Sequence, residues 1–166
     1  MPENIDKEKI KKQFLPKAVL LAQTDEAAAA IPVKNMFDDM IPIWKFPFRI
    51  GRESRVEIDE HGHIVVKERF KHGIKSVPTN DIYLIDFGER LQISRDHMQI
   101  DEEDGHYYLI DDGSKCGSGV NEARIGADSQ LERIEIKDGD TIVLGTEKSP
   151  YRYTFIVFSG EDAQRA

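Results

Sequence analysis

From Phe46 onward the sequence is a succession of short apolar-rich runs, and their spacing constrains the fold more than any other feature. The runs are Phe46-Pro47-Phe48-Arg49-Ile50, Ile82 to Ile85, Leu91 to Ile93, His97 to Ile100, Tyr107 to Ile110, Ile134 to Ile136, Thr141 to Leu144 and Tyr153 to Phe158. Each has the length of an ordinary strand and is bounded by Gly, Asp, Asn or Pro. Asp104-Gly105 and Asp138-Gly139 lie between runs, where hairpin turns need residues that tolerate positive φ. No long amphipathic helix interrupts the series. This pattern predicts an all-β sandwich of two antiparallel sheets.

The 166 residues suit one domain. Residues 1–16 read as an N-terminal arm or short helix ending before Pro16, and residues 17–160 as a single domain with its core at 46–158. Lys17 to Gln23 reads as a buried strand or a helix turn. Ala27 to Ala30 is good helix material, but so short a helix must lean on other structure. Residues 53–80 break the strand rhythm and read as a long inserted loop, with Ile64-Val65-Val66 as one short strand inside it. Residues 161–166 read as a tail.

Charge narrows the function classes. Lys plus Arg total 23 against 31 Asp plus Glu, a net charge of −8, which opposes indiscriminate binding to nucleic acid or to an anionic membrane. The acidity is uneven: residues 101–112 hold six acids and no Lys or Arg, whereas residues 45–75 hold eight Lys and Arg against five acids. A local cationic pocket is therefore compatible with an acidic chain. The single cysteine, Cys116, cannot form an internal disulfide. No apolar stretch approaches the ~20 residues of a membrane helix. The run Ala18 to Ala22 is too short and too closely flanked by Pro16, Lys17, Asp25 and Glu26 for a signal peptide. The expected location is cytoplasmic.

Three segments place polar residues with small neighbours at strand ends: Gly51-Arg52, Ser94-Arg95-Asp96-His97, and Asp112 to Asn121. The last holds three glycines in the seven residues from Gly113, which frees its backbone N–H groups to point at a ligand. Guanidinium forks, a hydroxyl, an ammonium and free amides are the inventory for gripping a phosphate. No carboxylate pair or metal-ligand set accompanies them.

In this order the segments resemble the forkhead-associated (FHA) domain family. That family has a Gly-Arg ending an early strand, then Ser-x-x-His, an Asp-x-Gly-Ser-like turn leading to Asn-Gly-Thr-x-Val-Asn, and a late Leu-x-x-Gly-Asp. Here these read Ile50-Gly51-Arg52, Ser94 to His97, Asp111 to Asn121, and Ile136-Lys137-Asp138-Gly139-Asp140, spread over residues 46–158. The resemblance implies a non-catalytic, cofactor-free module that binds phosphothreonine in a partner protein of a Ser/Thr kinase pathway. It implies that Arg52, Ser94, Arg95 and Lys115 contact the phosphate. Cys116 and Asn121 would meet the peptide backbone, with Gly51, His97, Gly117 and Ser118 supporting the loops. Cys116 stands where the family usually has Asn, and a thiol is a poor substitute donor. Ser118 replaces the usual Thr and keeps a hydroxyl. Cys116 and the long insertion also motivate an alternative, a protein-interaction or assembly module that ignores phosphate.

Enzymatic readings find little support. Ser94 to His97 lie too close along one strand to form a triad, since neighbours point to opposite faces. Neither Ser114 nor Ser118 sits in a Gly-x-Ser-x-Gly elbow, and the Gly-rich segment lacks the Gly-Lys-Ser/Thr of a P-loop. His61 and His63, with Glu57, Asp59 and Glu60 nearby, read as a polar loop rather than a closed metal site, which wants four ligands.

Overall fold

The structure, a computed structural model, describes residues 6–32, 39–54, 56–66, 70–71, 74–75 and 79–158. The tail 161–166 with residues 159–160 before it, the first five residues of the arm, and residues 55, 67–69, 72–73 and 76–78 of the insertion lie outside these.

The strand-rich pattern folds as two packed sheets. Helix α1 (Lys7–Phe14), capped by the Asp6 carboxylate, precedes β1 (Ala18–Ala22), α2 (Asp25–Ala30), β2 (Met40–Ile43) and β3 (Phe48–Arg52). The insertion contributes β4 (Val56–Ile58), β5 (Ile64–Val66), β6 (Phe70–Lys71) and β7 (Ile74–Lys75). There follow β8 (Ile82–Leu84), β9 (Met98–Glu103), β10 (His106–Asp111), β11 (Ser118–Val120) and β12 (Ala123–Ile125). The series closes with β13 (Arg133–Ile136), β14 (Thr141–Leu144) and β15 (Arg152–Val157). One sheet of six strands runs β12-β11-β14-β15-β1-β2, and the other, of five, runs β13-β10-β9-β3-β8. The pairs β4-β5 and β6-β7 form small separate two-stranded sheets.

Alternation sets the core. In β15 the side chains of Tyr153, Phe155 and Val157 are buried and those between them are only half-buried. They face Ile50, Leu84, Met98, Ile100 and Leu109 of the second sheet across one continuous apolar cluster. Tyr107 bridges the layers, its ring edge-on to Phe155 at 5.5 Å. Helix α2 survives at six residues because it leans on this core: Ala27 and Ala30 are wholly buried, and the Tyr153 hydroxyl donates to the Ala27 carbonyl at 2.9 Å.

Four expectations are refined. Within the run Lys17 to Gln23 lies the strand β1, Ala18–Ala22, paired on both sides. All pairings within the two large sheets are antiparallel except β3 with β8, which run parallel. A parallel pair needs a crossover long enough to return the chain to its starting end, so part of the 53–80 insertion is required by topology. Leu91 to Ile93 is a loop and not a strand, because the Asp86 carboxylate takes the Gln92 and Ile93 N–H groups at 2.6 and 3.0 Å that a ladder would use. Asp104-Gly105 is a hairpin turn with φ of 51° and 80°, as its residues predict. Asp138-Gly139 instead links β13 of one sheet to β14 of the other.

Among the described residues no helix is long and apolar enough to cross a membrane.

Candidate functional site

The three polar segments meet at one end of the sandwich. Arg52 closes β3. Its backbone N–H donates to the Ser94 carbonyl at 3.0 Å and its Nε to the Ile93 carbonyl at 2.8 Å. The Nε bond orients the half-buried guanidinium, and among the described residues its two terminal nitrogens form no hydrogen bond or salt bridge. Ser94 faces the other way into the Gly-rich segment, where its Oγ accepts the Lys115 N–H at 2.9 Å. Accepting that bond uses one lone pair of the hydroxyl and leaves its proton to donate.

Beneath these loops His97 is wholly buried. Its Nδ1 accepts the Ser94 N–H at 2.9 Å, so its Nε2 carries the proton and donates it to the Gly117 carbonyl at 2.9 Å. Burial lowers its pKa, against smaller upward pulls from the Gly117 bond and the Asp111 charge. The neutral ring therefore braces both loops. Stability should fall as pH drops below the unfolded His value of 6.5, where the unfolded chain binds the proton that the folded one refuses. The slope is at most about 1.4 kcal/mol per pH unit for one proton. Urea midpoints should drop from neutral to mildly acidic pH while the ring resonances of His97 stay those of the neutral form. A His97 that titrates at or above its ordinary value would contradict this bracing.

Asp111 organises the Gly-rich loop and is 5% exposed. Its Oδ1 accepts the N–H groups of Gly113 and Ser114, and its Oδ2 the hydroxyls of Ser114 and Ser118 at 2.6 and 2.8 Å. Gly117 has φ of 77°, and a Cβ there would stand 2.9 Å from the Ile125 carbonyl, so this turn requires glycine. Arg124 clamps the loop from β12, its Nη2 donating to the carbonyls of Cys116 and Gly145. The Cys116 thiol is turned to the Leu91 carbonyl at 3.6 Å.

The structure thus draws together Gly51, Arg52, Ser94, Arg95, His97, Lys115, Cys116, Gly117 and Ser118. It does not bring Asn121 with them. Cys116 precedes β11 and Asn121 follows it, so the strand separates them. The Asn121 amide is engaged there with the Asp140 carboxylate at 3.0 Å and the Thr141 N–H at 3.0 Å.

Arg52, Arg95 and Lys115 place three cations in this cluster, and none forms a salt bridge with a carboxylate among the described residues. His61 and His63 lie in the β4-β5 hairpin, beside Glu60 and Asp59 respectively. Among the described residues no group of three or more His, Cys, Asp or Glu is arranged to hold a metal ion.

The supporting residues Asn80, Asp86 and Arg124 were not marked by sequence reasoning. Asp86 fixes the loop that supplies the Ile93 carbonyl to Arg52, itself held by the Tyr151 hydroxyl at 2.7 Å. That bond and burial raise the Tyr151 pKa, burial being the larger cause.

Fold and loops together define a β-sandwich that gathers a polar loop cluster bearing Arg52, Arg95 and Lys115 at one end. The FHA domain family model matches residues 48–145, and the chain belongs to that family. No curated protein matches the sequence. Among solved structures, the FHA domain of an Arabidopsis thaliana hypothetical protein shares the fold, with a TM-score of 0.51 and 20% identity over 88% of this chain and 89% of that one. Mycobacterium tuberculosis EmbR, in complex with a low affinity phosphopeptide, is matched at TM-score 0.46 and 19% identity over 92% of this chain and 29% of that one. The N-terminal FHA domain of S. cerevisiae Rad53p, in complex with a phosphothreonine peptide, is matched at TM-score 0.36 and 21% identity over 62% and 89%.

Proposed function

We propose that this FHA domain is a non-catalytic module that binds phosphothreonine in a partner protein and so recruits it after Ser/Thr kinase action. One observation carries the reading. The Arg52 N–H donates to the Ser94 carbonyl and the Lys115 N–H to the Ser94 hydroxyl, which ties together the segments that carry a guanidinium, a hydroxyl donor and a loop cation, and neither cation forms a salt bridge among the described residues. Arg52 and Ser94 hold the phosphate, Arg95 and Lys115 add charge around it, and Gly51, His97, Gly117 and Ser118 keep the loops in place. Such charge-assisted donors favour a dianion with three oxygens.

Fluorescence anisotropy with a degenerate phosphothreonine peptide library tests it. Binding should be well above that of the unphosphorylated library, and peptides with Asp in place of phosphothreonine should resemble the unphosphorylated ones, having one oxygen and about half the charge less. Equal binding of all three would refute phosphate recognition.

Cys116 favours a second reading, in which the same surface binds its partner without phosphate, since its thiol replaces an amide that would grip a peptide main chain. Pull-downs from lysate with and without phosphatase treatment separate the two. Capture that survives phosphatase supports the second.

A further inference from the structure

The loop carrying Arg95 is held from behind by a residue that belongs to neither the Gly-Arg nor the Ser-x-x-His segment. Asn80, at the close of the insertion, is 9% exposed. Its Nδ2 donates to the Arg95 carbonyl at 2.7 Å and lies 3.5 Å from the Asp96 Oδ1. The same Asp96 oxygen accepts the Thr79 hydroxyl at 2.8 Å, and the Tyr83 hydroxyl accepts the N–H groups of Thr79 and Asn80 at 2.9 and 3.2 Å. Gly51 completes the contact. A Cβ on it would stand 1.9 Å from the Arg95 carbonyl oxygen and 2.3 Å from the Asn80 Nδ2.

The Arg95 peptide is therefore pressed between β3 and the Asn80 amide, while the Arg95 side chain is exposed. With no carboxylate partner among the described residues, where that side chain can reach depends on how its backbone is set. An amide-to-carbonyl bond sets the plane of the 95–96 peptide and with it the direction in which the side chain leaves the backbone. We propose that Asn80 is a positioning residue for phosphate recognition, acting through Arg95. This rests on the phosphothreonine reading above and assigns the end of the insertion a role in the site.

The test is a double-mutant cycle with a phosphothreonine peptide selected from the library, measured by anisotropy at several salt concentrations, with a thermal melt of each variant. Asn80→Ala removes the donor. Asn80→Asp keeps the volume but turns an acceptor toward the Arg95 carbonyl and the Asp96 carboxylate. Each should weaken binding about five- to tenfold, a fraction of what a charged contact is worth. Each should also flatten the salt dependence as Arg95→Ala does, because one cation no longer meets the phosphate. In the Arg95→Ala background, which keeps the backbone carbonyl, adding Asn80→Ala should change affinity less than about twofold. A merely structural Asn80 would cost the same in both backgrounds and leave the salt dependence unchanged, and that result overturns the proposal, as does unchanged affinity in Asn80→Ala. If one variant melts below the assay temperature, the other carries the cycle. Absence of phosphopeptide binding by the parent protein overturns the functional reading and this proposal together, whereas binding with additive variants overturns this proposal alone.

Discussion

Replacing Arg52 with alanine is expected to cut phosphothreonine-peptide affinity about a hundredfold or more while leaving the sandwich folded. Truncating one partner of a hydrogen-bonded charge pair costs about 2–5 kcal/mol, and about 1.4 kcal/mol is a factor of ten. Arg52 is half-buried and already oriented by its Nε bond to the Ile93 carbonyl, so little side-chain entropy remains to be lost when an oxyanion meets its terminal nitrogens. The change removes that bond as well, and stability should fall by about 1 kcal/mol. Arg52→Lys should recover only part of the affinity, since an ammonium restores charge without the two-pronged fork. Anisotropy titration and urea unfolding of the three proteins measure both quantities. An alanine variant that binds within threefold of the parent would remove Arg52 from the site.

At the neighbouring glycine the main loss should be of stability. Gly51→Ala is expected to destabilise the domain by about 3 kcal/mol or more, at the upper end of the usual cost of overpacking. An added Cβ would sit 1.9 Å from a backbone oxygen of the Arg95 peptide, and backbone cannot swing aside as the end of a flexible side chain can. Relief requires the Ser94–His97 segment to move away from β3, which stretches the Arg52–Ser94 and His97–Ile50 backbone bonds of 3.0 and 3.1 Å. Phosphopeptide binding should therefore weaken although Arg52 itself is intact. The urea midpoint should drop with no change in the slope of the transition. A Gly51→Ala protein within about 0.5 kcal/mol of the parent would show that these segments are less closely apposed. Adjacent positions thus separate the two roles, one side chain for the ligand and one missing side chain for the packing.

Most of the strands were legible because a half-buried strand writes its alternation into the sequence, as Tyr153, Phe155 and Val157 do. The phosphate-binding candidates were legible for a different reason: Arg52, Ser94 and Lys115 stand in short segments with distinctive residue order. What stayed hidden acts across long sequence separations through single hydrogen bonds. Asn80 reaches a carbonyl at Arg95, and Arg124 reaches carbonyls at Cys116 and Gly145, and no local pattern announces either. Leu91 to Ile93 misled because an apolar run looks the same whether its N–H groups meet a neighbouring strand or the carboxylate of Asp86. Asn121 was placed by its position in a family pattern, and only the fold shows that β11 carries it away from the loop cluster.

The neighbours of β15 bear on how such a chain is made. Residues 152–157 lie between β14 and β1, with Ala18 paired to Val157, so the sheet is joined across the two extremes of the domain. During synthesis β1 and β2 emerge early and can pair only with each other, a two-stranded ribbon that is marginal in water. They must wait on the ribosome until nearly the whole domain has followed. Closing so long a loop costs entropy before any contact repays it, which places folding in the slow, millisecond-to-second class of β-rich domains. The loops of the candidate site, all contained between β3 and β14, can assemble before that last seam is sewn.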